Sequence, residues 1–194
     1  VSQEPIADIC LLLEGTWPYV RGGVSSWIHQ MILGLPDVTF SVFFIGGQRS
    51  AYPKHNYAIP PNVVHIEEVF LEESWQVGIT LKGTVRKAPG EALESLYRYF
   101  HDPQTPELAV GDVLLDALAQ GHIQAGDVLH SRANWRVISD GYLKHCSDPS
   151  FINYFWTLRT MQSPLLMLAE AARRMPRARA LHAISTGYAG LLGC

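Results

Sequence analysis

The chain has 194 residues, of which 47% are hydrophobic and 17% charged, and a formal net charge of −3. This is the balance of a globular α/β protein with one sizeable core, and it gives no electrostatic reason to expect nucleic acid or anionic lipid as a partner. Three widely spaced cysteines (Cys10, Cys146 and Cys194) argue against a disulfide framework, and no apolar stretch is long enough to span a bilayer, so a cytoplasmic protein is expected.

The first element is the unbroken apolar run Asp8–Glu14, which suits a strand covered on both faces of a parallel sheet. It leads into GTWPYVRGG, ending on Gly22-Gly23, and from Val24 the spacing turns helical, with Val24, Trp27, Ile28, Met31, Ile32 and Leu35 on one side. Strand, glycine turn and helix in that order aim backbone N–H groups and a helix N-terminus at one spot, which suits a diphosphate. Val38–Ile45 reads as the second strand, 48–62 as a Pro- and Tyr-rich loop, and Val63–Val69 as the third strand.

Residues 72–90 carry breakers and read as irregular; helices are expected over 91–101 and 107–120, and a short extended segment over Asp127–Ser131. A helix follows at 134–145. Asp148-Pro149 and Ser163-Pro164 each look like an N-cap followed by proline, which predicts two helices, 149–162 and 164–175, bent at Ser163. Ala180–Ile184 reads as a strand, Ser185-Thr186-Gly187 as a turn, and Tyr188–Gly193 as the start of a helix. The order implies an α/β fold: a Rossmann-like, mostly parallel sheet flanked by helices, with a helical elaboration over 72–175.

Several signatures are absent. No G-x-G-x-x-G follows the first strand, and Gly78–Gly83 lacks the Lys-Ser/Thr of a P-loop. The eight His show no metal-ligand spacing, and no nucleophile elbow occurs, so neither a metal nor a bound cofactor is expected.

The segments LLLEGTWPYVRGGVSSWIHQ (11–30), SFINYFWTLRTMQSPLLML (150–168) and HAISTGYAGLLG (182–193) resemble the N-terminal domain of the PelF-like glycosyltransferases. These belong to the retaining nucleotide-sugar glycosyltransferases of family 4. The resemblance implies a GT-B fold, two Rossmann-like domains facing across a cleft, with the acceptor held by the N-terminal domain and the nucleotide sugar by the C-terminal one. It implies UDP-glucose as donor, a growing exopolysaccharide as acceptor, and membrane-associated synthase subunits as partners. The family's Glu-x7-Glu motif does not occur here, and the chain stops in an apolar segment. It therefore reads as residues 1–194 of an N-terminal domain, a fragment expected to be inactive alone and to self-associate.

Each candidate residue has two readings. Gly22 and Gly23 match the family's glycine loop, where a bare backbone approaches the donor diphosphate; the alternative is an ordinary turn. Arg21 could face the diphosphate or be a surface charge, and Ser25 could reach phosphate or cap the helix. Glu14 could bind sugar hydroxyls or brace the loop, and Trp17 and Tyr19 could stack on an acceptor sugar or pack the loop. His182, Ser185, Thr186, Gly187 and Tyr188 form a second patch fit for sugar hydroxyls, His182 alternatively being a core residue. Trp135, Phe151, Phe155 and Trp156 read as helix packing. Two other classes stay open: a non-catalytic carbohydrate- or protein-binding module, and a flavodoxin-like phosphate binder.

Overall fold

The computed structural model describes residues 6–71, 116–120, 122, 124–146 and 150–193. The chain divides into two compact units, one made of Val1–Val77 with Arg174–Cys194 and the other of Gly78–Arg173.

The first unit is a parallel sheet. Strands β1 (Ala7–Glu14), β2 (Phe40–Gly46), β3 (Val63–Phe70) and β4 (Ala178–Ala183) stand in the order β3-β2-β1-β4. This is the doubly wound α/β arrangement, with Rossmann-like strand order. Helix α1 (Gly23–Gly34) joins β1 to β2 and buries Ile28 and Ile32 against Leu11, Leu13, Phe40, Val42 and Phe44. On the opposite face Cys10, Leu12, Phe43 and Ile45 are no more than 1% exposed. The central strands are thus buried on both faces, the physical reason for their unbroken apolar runs. Burial pushes the Cys10 thiol above its ordinary range.

The buried stripe of α1 is narrower than the spacing predicts. Ser25, Ile28 and Ile32 are buried, whereas Val24 and Trp27 are about half exposed, at 48% and 49%, and Leu35 is exposed too. Trp27 overhangs the sheet's edge, where its ring meets His182 of β4 edge-on at 6.3 Å. At the far end of α1, the Asn62 side-chain amide donates to the carbonyls of Ile32, Leu35 and Val38 at 3.0, 3.1 and 3.2 Å. Those contacts satisfy carbonyls that a helix end otherwise leaves open.

The second unit is helical where described, with a turn of helix at 116–119 followed by α2 (Ala125–Leu129), α3 (Arg132–His145) and α4 (Phe151–Ala171). The segment predicted as extended, 127–131, is mostly helix instead. A capping box between Gln124 and Asp127 starts α2, and the Ala125 N–H donates to Glu170 Oε2 at 2.8 Å. Ser131 and Ser150 cap α3 and α4 by accepting from Asn134 N and Asn153 N. Helix α4 runs through Pro164 without the break predicted at Ser163. A proline inside a helix costs about 3 kcal/mol; burial of Pro164, Leu166, Met167 and Leu168, each large side chain contributing about 1.5–3 kcal/mol, offsets it. Trp135, Phe151 and Phe155 pack on one another and Trp156 meets Phe155, but Trp135 and Trp156 are 55% and 54% exposed, so neither tryptophan sits in the core that the helical spacing predicts. The helices predicted at 91–101 and most of 107–120 lie outside the described residues.

Helix α5 (Tyr188–Leu192) follows β4. Gly193, just beyond it, lies against Leu12, on the sheet face opposite to α1. Chain direction across the sheet therefore reverses between β1 and β4. A crevice at the carboxyl ends of such strands is where open α/β sheets bind ligands.

Candidate functional site

Two loops meet at that crevice, one leaving β1 and the other leaving β4. Glu14, the last residue of β1, joins them: its Oε2 accepts from the Tyr188 N–H at 2.9 Å and from Ser185 Oγ at 3.5 Å. Its carboxylate thus sits on the N-terminus of α5, satisfying an amide the helix itself cannot. A Cβ on Gly187 would stand 2.6 Å from Glu14 Oε2, so a side chain there would push the carboxylate aside. The sequence leaves Glu14 between sugar ligand and brace; the contacts are those of a brace, and draw two distant segments to one edge.

After Glu14 the chain turns through Gly15, whose φ of 58° is in the left-handed region that glycine tolerates. The loop then folds inward. Trp17 is wholly buried and donates from Nε1 to His29 Nδ1 at 3.3 Å, which requires the His29 proton to sit on Nε2. Tyr19 is 7% exposed; its ring packs on Phe44 and Tyr52 and its hydroxyl donates to Glu68 Oε1. Burial first, then the Glu68 carboxylate, pushes the Tyr19 phenol far above its ordinary value. Trp17 offers no free face and Tyr19 exposes only the small part that lines the cleft described below, which corrects the reading of the two rings as a stacking platform. Loop rings on apolar β-strand ends gain more by burial than by facing water.

Arg21, Gly22 and Gly23 emerge at the surface. Gly22 is the N-cap of α1 in extended backbone, with no side chain capping the first turn and no acidic residue in it. A Cβ at Gly22 or Gly23 would meet nothing within 4 Å, so there is open space beside both glycines. Four N–H groups at a helix start, an adjacent guanidinium and open approach suit an anion. Ser25 turns inward at 2% exposure, so its hydroxyl does not face this space. Its exposed neighbour Ser26 shares a hydrogen bond with the Tyr57 hydroxyl at 3.1 Å.

Across the crevice, Ser185, Thr186 and Gly187 are exposed and Tyr188 half-buried. His182 is exposed on the edge strand β4, against Trp27, rather than inside the core. It stands on the strand itself, short of the loop that carries the other four.

The loop 48–62 holds groups that pattern reading passes over. Asn56 ties it to the first loop, its N–H donating to the Pro18 carbonyl at 2.8 Å and its side chain to the Tyr19 carbonyl. Beside this tie lies a cleft of about 380 Å³ lined by Tyr19, Arg49, Tyr52, Pro53, Lys54 and His55. Glu68 pairs with Arg49 at 3.2 Å and lies 3.7 Å from His55. The available signal is three basic residues around a tyrosine within seven positions, Arg49 to His55.

Among the described residues no helix is long and apolar enough to cross a membrane. Residues 7–194 match the family model described as Domain of unknown function (DUF3492), and the chain belongs to that family. Comparison with curated proteins and with solved structures finds no match.

Proposed function

We propose that this member of the DUF3492 family is the acceptor-side lobe of a PelF-like, nucleotide-sugar-dependent glycosyltransferase, moving a hexosyl group from UDP-glucose to a growing exopolysaccharide. The observation that carries the reading is the N-terminus of α1, which no side chain caps and which has open space beside Gly22 and Gly23, with Arg21 preceding it, on the loop that leaves β1 next to β4. In that reading the first-turn amides and Arg21 receive the negative charge that builds on the departing diphosphate as the glycosidic bond breaks. The exposed Ser185 and Thr186 hydroxyls line the opposite side of the crevice and hydrogen-bond sugar hydroxyls. Glu14 keeps the two loops in register. The sequence resemblance over 11–30 and 182–193 falls on these same two loops, which supports the assignment.

Gly23→Asp separates the ligand reading from an ordinary turn. An acidic residue at the helix start favours the helix by about 0.3–1 kcal/mol, and the open space at position 23 accepts the side chain. The same charge repels a diphosphate. Calorimetric titration of the two-lobed parent enzyme should show UDP binding weakened by at least about tenfold, with thermal stability unchanged or raised. Equal UDP affinity in the two proteins would remove the glycine loop from the donor site.

A further inference from the structure

The cleft beside Tyr19 is distinct from the glycine loop, and its lining has its own chemistry. Among the described residues, Arg49, Lys54 and His55 contribute cationic or potentially cationic groups, against the carboxylate of Glu68. Glu68 is already engaged: Oε1 accepts from the Tyr19 hydroxyl and Oε2 from Arg49. Arg49 is further fixed by the Phe70 ring, 4.2 Å below its guanidinium carbon. Lys54 makes no ion pair among the described residues. One wall is aromatic and rigid, since Tyr52 packs against Tyr19, Phe44 and Phe70.

We propose that this cleft binds a sugar ring bearing an anionic group, a carboxylate or a phosphate, with the ring against Tyr52 and the anion toward Lys54 and His55. A pyranose has an apolar face that suits an aromatic wall, while a net positive lining selects an anionic substituent. The volume of about 380 Å³ is within the range of small-molecule sites and accommodates one ring with its substituent. The Asn56 tie fixes the cleft to the loop that leads to Gly22-Gly23. Under the transferase reading this is an acceptor subsite, which makes an anionic sugar the unit it recognises. The binding itself does not depend on that reading.

The test is titration of the protein with four probes, followed by NMR or calorimetry: glucuronate, glucose 6-phosphate, glucose and inorganic phosphate. Glucuronate or glucose 6-phosphate should bind at least about tenfold more tightly than glucose. Tighter binding of the first identifies a carboxylate, and of the second a phosphate. Lys54→Gln, an exposed substitution, should weaken the preferred anionic sugar about fivefold and leave UDP affinity unchanged. Gly23→Asp should do the converse.

Anionic sugars binding no better than glucose would overturn the proposal. So would inorganic phosphate binding as tightly as glucose 6-phosphate while glucuronate fails, or a Lys54→Gln protein with unaltered affinity. Failure of UDP to bind the two-lobed parent enzyme would instead count against the glycine-loop reading alone.

Discussion

Removing the Glu14 carboxylate tests whether the two crevice loops are braced or whether that group waits for a sugar. In the structure it accepts a 2.9 Å hydrogen bond from the Tyr188 N–H, with Ser185 Oγ a more distant second donor at 3.5 Å. A hydrogen bond to a charged group contributes about 1.5–3 kcal/mol, and the half-buried setting of Glu14 places it at the lower end. Glu14→Ala should therefore cost about 1.5 kcal/mol, or roughly 3–6 °C in melting temperature for a domain of this size. Gly187→Ala places a methyl 2.6 Å from the same oxygen and should displace the carboxylate, at similar cost. Because both substitutions break one contact, the double variant should lose less than their sum. The assay is thermal and urea unfolding of the four proteins by circular dichroism, with UDP titration alongside. A Glu14→Ala protein of unchanged stability that lost UDP-glucose affinity would refute the brace and make the carboxylate a ligand contact.

Gly46→Ala should destabilise by about 1–3 kcal/mol in urea unfolding, because the added methyl would lie 2.8 Å from Tyr52 and 2.9 Å from both Phe44 and Phe70; a neutral substitution would mean these rings are free to move. Asp8 accepts from the Thr39 hydroxyl and N–H at 2.7 and 3.0 Å, with Arg179 at 3.2 Å, and the Thr39 hydrogen bonds foremost lower its carboxyl below the ordinary value. A lowered folded value means the contribution is present above the unfolded value of about 3.9 and is lost as pH falls through the folded one. The stability gap between wild type and Asp8→Asn should accordingly close as pH drops from about 5 toward 2, and a gap constant across that window would contradict the assignment.

The central sheet is legible in the sequence because burial on both faces writes apolar-rich runs, unbroken over Ile9–Leu13 and interrupted by Thr39 and Ser41 over Val38–Ile45. The edge strand is less so: Arg179–Ala183 is exposed despite two alanines and a leucine, since small residues pattern alike at an edge and in a core. Loop aromatics mislead for another reason. Trp17 and Tyr19 follow a glycine and precede a glycine pair, and nothing local reveals that the loop folds back onto Phe44 and His29. Pro164 shows the limit of punctuation signals, because tertiary burial carries α4 through a residue that local rules treat as a stop. The crevice loops read as two separate patches; the carboxylate that unites them acts over 174 positions of chain, beyond any spacing rule. Arg49, Lys54 and His55 escape notice as a site because they share no helical or alternating period.

The Asn62 amide has a consequence at the opposite end of the molecule's first helix. By donating to the carbonyls of Ile32, Leu35 and Val38, it anchors one end of a rod twelve residues long, about 18 Å at the helical rise. A tilt of roughly 10° about that end would swing the glycine tip by about 3 Å, one hydrogen-bond length. The position of the glycine tip therefore depends on how firmly the far end is held, and Asn62 is one of the groups that hold it.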